Sequence, residues 1–75
     1  MKELVEVIAK ALVDNPGEVV VTEKRDGKNV VIELHVAQAD MGKVIGKQGR
    51  IANAIRVVMR AAASRNNQSV SVEID

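Results

Sequence analysis

The chain has 75 residues, with eleven basic and ten acidic side chains, one histidine, no cysteine and no Phe, Tyr or Trp. That length allows one domain, and a chain near this size buries only about 60% of its unfolded surface. Without cysteine there is no disulfide staple and no zinc-type Cys/His set. No apolar run approaches the roughly 18 residues a membrane span needs, and Lys2, Glu3 and Glu6 break up any signal-like start, so the sequence predicts a soluble, cytoplasmic protein.

The formal net charge of +1 hides an uneven distribution. Residues 41–72 hold six basic side chains (Lys43, Lys47, Arg50, Arg56, Arg60 and Arg65) and no acid, while the rest holds five basic and ten acidic ones. A basic face for a polyanion, beside an acidic remainder that limits non-specific sticking, accounts for this split. An ordinary solvated basic helix face is the competing explanation.

Residues 2–14 read as an amphipathic helix, with Leu4, Ile8, Ala11 and Leu12 on one stripe. Asn15-Pro16-Gly17 ends it, because the residue before proline avoids the helical region. Val19 to Arg25 reads as a strand, although three consecutive valines leave its inward face open. Val30 to Val36 is a clearer strand: Val30, Ile32, Leu34 and Val36 alternate with Val31, Glu33 and His35. Asp26-Gly27 between them is a hairpin signal.

Asp40 reads as the N-cap of a short helix carrying Met41, Val44 and Ile45 on one face, ended by Gly46. A second helix is predicted from about Arg50 to Ser64, with Ile51, Ile55, Val58 and Ala62 as its apolar stripe. Arg56 and Arg60, at i and i+4, share a face pointing elsewhere. Val57 and Met59 widen the apolar arc, which suits either a second packing neighbour or a partner chain. Asn66-Asn67 makes the exit turn, and Val70, Val72 and Ile74 alternate with Ser69, Ser71 and Glu73 as a last strand. The predicted order is αββααβ, an α+β domain with helices on one face of a sheet.

Val44-Ile45-Gly46-Lys47-Gln48-Gly49-Arg50-Ile51 is the segment with the most specific content. Glycine permits close backbone approach, and a loop that opens a helix offers unpaired N–H groups and a favourable dipole to an anion. Lys47 inside the loop and Arg50 after it suit phosphate. A helix–helix turn in which the glycines serve only as caps is the plainer alternative. A Walker-type loop does not fit: three residues, not four, separate Gly42 from Gly46, and Gln48 stands where Ser or Thr would hold magnesium.

That octet, followed by Ala54-Ile55-Arg56, resembles the signature of a KH domain. The element order resembles the type II, bacterial form, and the small size resembles the stand-alone KhpA family. The resemblance spans residues 1–75 as a single KH domain with its Gly-x-x-Gly loop at 46–49. It implies binding of single-stranded RNA, with single-stranded DNA as a second substrate of the same clamp. The loop would grip the backbone of about four nucleotides beside a groove for the bases. Carried onto this chain, Gly46, Lys47, Gln48 and Gly49 are the clamp, Lys43 and Arg50 flank it, and Ile45 and Ile51 floor the groove. Ile32, Glu33 and Leu34 form the opposite wall, and Arg56 is a further RNA contact. The family resemblance also implies self-pairing and pairing with a larger KH protein.

The composition agrees with part of this. Lack of aromatic residues excludes readers that stack bases on aromatic platforms, and it predicts modest, salt-dependent affinity. His35 lies on the polar side of its strand and has no metal-binding companions. No nucleophile–base pair stands out, so neither an enzyme nor a cofactor is expected. Glu23, Asp26, Glu33 and Asp40 are expected to solvate the surface, Met41 and Met59 to fill the core, and Arg60 and Arg65 to be solvated charges. An RNA chaperone or post-transcriptional regulator is the favoured function. A protein-interaction or dimerisation module built on helix 50–64, or a ribosome-associated assembly factor, is the alternative.

Overall fold

The computed structural model describes residues 1–74, with the side chains of Lys47 and Gln48 outside the described set. Helix α1 spans Lys2–Leu12, a 3-10 turn follows at Pro16–Glu18, and strands β1 (Val20–Asp26) and β2 (Asn29–His35) form a hairpin. Helix α2 runs over Gln38–Arg65, and β3 covers Ser69–Ile74. The α2 run is divided at Gly49, whose φ of +68° lies outside the right-handed helical region. Two helical segments result, and the predicted αββααβ order holds.

The sheet order is β1-β2-β3, with β1–β2 antiparallel and β2–β3 parallel. A parallel neighbour needs a crossover, which α2 supplies. The β1–β2 turn is two residues, Gly27-Lys28, and Gly27 takes φ +62°. All three strands send one face to the helices: Val21 from β1, Val30, Ile32 and Leu34 from β2, and Val72 from β3. Val19 and Val21 point inward and Val20 outward, which settles the face of the valine run. Side chains such as Ile32, Leu34 and Ile55 are wholly buried, each worth about 1.5–3 kcal/mol relative to exposure.

Both helices sit rotated from the predicted stripes. On α1, Val5 and Ala9 are buried, with Ile8 packed alongside, whereas Leu4 and Leu12 are exposed shoulders and Ala11 faces solvent. On the second segment of α2, Ala52, Ile55, Met59 and Ala63 are buried; Ile51 and Ala62 are partly buried, and Val58 is exposed. Alanines explain the shift: at Ala9, Ala52 and Ala63 a small side chain lets the helix axis approach its neighbours. In the first segment Val44 enters the core and Met41 packs against it, but Ile45 is 51% exposed.

Two carboxylates expected on the surface join elements instead. Glu23 accepts a hydrogen bond from the Lys2 N–H at 3.0 Å and pairs with the N-terminal ammonium at 3.6 Å, so α1 is tied to β1. Asp40 is 1% exposed. It does not cap α2, whose N-cap is Ala37 with no side-chain cap bond. Its Oδ1 accepts from the Asp14 N–H at 3.1 Å, and its Oδ2 from the Asn15 N–H and side-chain amide at 3.0 and 3.1 Å. The carboxylate thus pins the exit of α1 to the start of α2.

Candidate nucleic-acid interface

Construction of the loop begins with this pin. Asp40 fixes the first turns of α2, and Lys43, one turn on, reaches back to Asp14 Oδ1 at 3.2 Å. Burial would raise the Asp40 pKa, but hydrogen bonds from Asp14 and Asn15, with the Lys43 charge nearby, outweigh it and hold the carboxyl below the usual aspartate value. Among the described residues no buried side-chain nitrogen or oxygen lacks a partner.

The helical backbone continues through Gly46 and breaks at Gly49. This corrects the expectation that Gly46 ends the first helix. Among the described residues outside its own turn of helix, no atom lies within 4 Å of where a Cβ on Gly46 would be, so no packing neighbour described there demands glycine. At Gly49 the left-handed φ does demand it, and a Cβ would sit 3.9 Å from the Asn53 side-chain nitrogen. The turn therefore places a fresh helix start at Arg50, one residue beyond the left-handed glycine. Arg50 is exposed, Ile45 is exposed beside the loop, and Ile51 packs partly against the core. Lys47 and Gln48 lie between them, and their side chains fall outside the described residues.

Three predicted wall residues do not reach this region as expected. Ile32 and Leu34 are 0% exposed and belong to the core. Glu33 points to the opposite face of the sheet, where it pairs with Lys24 at 3.1 Å. β2 is also the central strand, bonded to β1 on one edge and β3 on the other, so its backbone groups are already used. The strand with a free edge beside α2 is β3.

At 3.6 residues per turn, the second segment of α2 shows a different face to each neighbour. Ala52, Ile55, Met59 and Ala63 meet the sheet. Val58, Ala61 and Ala62 border a shallow depression shared with Leu4 of α1. On the other side, Asn53, Arg56, Arg60 and Ser64 form a stripe that starts at Gly49 and runs toward β3, where Arg60 and Ser64 line a depression with Ser69 and Val70. Arg50, Arg56, Arg60 and Arg65 make no ion pair among the described residues.

A family model described as KhpA/KhpB, KH domain, matches residues 2–74. The chain belongs to the KhpA/KhpB KH-domain family. It is 60% identical over 74 residues to the RNA-binding protein KhpA of Clostridium perfringens, with 99% of each chain covered. The same identity and coverage relate it to the RNA-binding protein KhpA of Clostridium acetobutylicum and to that of Caldanaerobacter subterraneus subsp. tengcongensis. No solved structure matches.

Within this KH domain the loop flanks Lys43, Ile45, Arg50 and Ile51 gather around the glycines, and Arg56 follows two turns on. The sequence analysis gives Asn53 and Lys28 no role and takes Arg60 as a solvated charge. Asn53 and Arg60 had a signal, since they fall at i+4 and i+11 from Gly49 and share its side of the helix. Lys28 had none, because only the hairpin brings it to the end of α2. Among the described residues no His, Cys, Asp and Glu group could hold a metal ion, and no helix is long and apolar enough to cross a membrane.

Proposed function

We propose that this chain is a non-enzymatic, cytoplasmic binder of single-stranded RNA, acting as an RNA chaperone or post-transcriptional regulator. The left-handed break at Gly49, opening a helix inside an acid-free basic stretch, is the observation that carries the reading. Gly46 to Gly49 clamp the sugar-phosphate backbone, with Lys43 and Arg50 supplying long-range attraction. Bases lie beside the loop and along the second segment of α2, over Ile45 of the first segment and Ile51 and Asn53 of the second, and the free edge of β3 takes the wall role first expected of β2. Relatives named RNA-binding proteins at 60% identity support this assignment.

The grip is electrostatic and unaided by stacking, which elsewhere adds about 1–3 kcal/mol per base. Affinity is accordingly modest and falls with salt. The test is anisotropy of labelled single-stranded RNA at two salt concentrations, comparing the chain with Lys47→Asp/Gln48→Asp, each checked by circular dichroism. Loss of salt-sensitive binding in the folded variant is expected. Equal binding by both proteins removes the loop from the site.

A second reading, self-association or pairing with another KH protein, is favoured by one observation. Leu4 and Val58 stand exposed beside Ala61 and Ala62 on the side of α2 away from β3. A dimer through this face would leave the loops free and raise the avidity of a weak reader. A ribosome-associated assembly factor would instead prefer structured ribosomal RNA in a competition assay.

A further inference from the structure

The first segment of α2, residues 38–46, leads into the loop but enters the core at few points. Val44 is buried and Met41 packs partly against the core, while Gln38, Ala39, Gly42, Lys43 and Ile45 are exposed. The left-handed φ of Gly49 stands between this segment and the second one, so an unbroken helix does not fix the angle between them. An apolar contact such as that of Val44 is non-directional. It sets how deep the segment sits and leaves its tilt and rotation open.

Asp40 supplies the missing direction. Its carboxylate, 1% exposed, accepts the successive backbone N–H groups of Asp14 and Asn15 at 3.1 and 3.0 Å and the Asn15 side-chain amide at 3.1 Å. Such bonds constrain angle as well as distance. The anchor on α1 is itself fixed. Val13 is buried, and its N–H donates to the Ala9 carbonyl at 3.1 Å. Pro16 restricts Asn15, whose carbonyl accepts the Glu18 N–H at 3.1 Å. Lys43, one turn beyond Asp40, adds its contact with Asp14 Oδ1 at 3.2 Å. A carboxylate is a costly group to bury, and this one does not cap its own helix. Its bonds run to another element, where they control orientation.

We infer that Asp40 is a positioning residue for RNA binding, one that sets the angle at which residues 46–49 meet a phosphate chain. This rests on the RNA-binding reading above and deepens it. The helical rise from Asp40 to Gly46 is about 9 Å. A tilt of about 10° at the Asp40 end therefore moves the loop by about 1.5 Å, beyond the roughly 0.5 Å that a preorganised site tolerates. Electrostatics alone predicts the opposite effect for loss of this carboxylate. Deleting a negative charge near the loop should strengthen binding of a polyanion, whereas loss of positioning weakens it.

The experiment measures anisotropy of labelled single-stranded RNA at two salt concentrations for the original chain, Asp40→Asn, Asn15→Ala and Val30→Ala. All are held well below their melting temperatures, so that each is folded. Asn15→Ala removes one bond to Asp40 and no charge, and it carries the test alone if Asp40→Asn does not fold. Val30→Ala loosens the core at the hairpin end of β2, away from the loop. A loop that holds its binding geometry about a tenth of the time binds about tenfold more weakly. Asp40→Asn should lose about that much affinity, Asn15→Ala less, and Val30→Ala none. The salt slope should stay that of the original chain, because every phosphate contact remains. Hydrogen exchange at the Val44, Ile45 and Gly46 amides should quicken relative to Ile32 in Asp40→Asn and Asn15→Ala, and keep its ratio in Val30→Ala.

Affinity that is unchanged or raised in Asp40→Asn and Asn15→Ala overturns the positioning role, as does a loss that Val30→Ala shares. A loss with a smaller salt slope overturns it too, since that marks a missing phosphate contact. Lys47→Asp/Gln48→Asp is measured alongside. If that chain loses binding while Asp40→Asn and Asn15→Ala keep it, the loop reading stands and the positioning role falls. If it binds as the original chain does, the loop reading falls and takes the positioning role with it.

Discussion

The two glycines of the loop separate a folding requirement from the proposed binding requirement, and alanine substitution tests each alone. Gly46 has a helical backbone without positive φ, and among the described residues outside its own turn of helix no atom lies within 4 Å of a Cβ placed on it. Gly→Ala inside a helix gains up to about 1 kcal/mol. In a domain of this size that corresponds to a rise in Tm of about 4–8 °C. Gly46→Ala is therefore expected to melt higher. Its RNA affinity should nevertheless fall about tenfold, or about 1.4 kcal/mol, because the added methyl keeps a sugar-phosphate chain from the backbone. Gly49→Ala should behave in the opposite sense on stability. Its φ of +68° costs a non-glycine residue about 1–2 kcal/mol, so Tm should drop by several degrees. Differential scanning calorimetry and RNA anisotropy on the same samples read both quantities. Unchanged RNA affinity in Gly46→Ala would refute the close-approach argument. A Gly49→Ala protein as stable as the original would refute the left-handed break.

Asp40→Asn should destabilise the domain at neutral pH, since an amide cannot accept all three of the N–H bonds that Asp40 accepts. Asp40 and Glu23 both have folded pKa values below the ordinary ones, Glu23 chiefly through its hydrogen bond from Arg25, so their stabilisation is complete above the unfolded values and is lost as pH falls through the folded ones. Melting temperature should decline below about pH 4, and decline less in Asp40→Asn, as followed by circular dichroism at pH 7 and 3. Ile55→Ala should cost about 2–5 kcal/mol, which urea titration will register as a fall in midpoint without a change in m. Val57→Asp/Val58→Asp should leave the fold intact and abolish any self-association visible by sedimentation at high concentration; identical sedimentation of a self-associating parent and this variant would move the interface elsewhere.

The elements with local signals are legible in the sequence itself. The alternation of Val30, Ile32 and Leu34 identified a strand with one buried face, and Asp26-Gly27 identified its hairpin. The loop octet identified the family. What the sequence concealed was non-local. An alternating strand looks the same at the centre of a sheet as at its edge, so the central place of β2, and with it the failure of Ile32 and Leu34 to wall a groove, depended on pairings with distant segments. Asp40 looked like a cap because acids are common at helix starts, but its partners Asp14 and Asn15 lie 26 and 25 residues away. The rotated helix stripes have another cause. Where Ile51, Val57, Val58 and Met59 are all apolar, several overlapping stripes satisfy the same period, and the choice falls to where alanine permits close approach.

That broad apolar arc is better understood as two surfaces than as one imprecise stripe. Ala52, Ile55, Met59 and Ala63 complete the core, so Val58 with Ala61 and Ala62 is surplus to folding a monomer. The basic stripe of Arg56 and Arg60 occupies the other side of the same helix, toward β3. With the two proposed surfaces on opposite sides of a helix whose third side is locked in the core, a partner seated against Leu4 and Val58 would leave the proposed RNA side uncovered. Charge reversal on the β3 side should then leave assembly unchanged, and Val58→Asp should weaken binding of long RNA only through lost avidity, with no effect on tetranucleotide affinity. A tetranucleotide defect in that variant would show that the two sides of the helix are not independent.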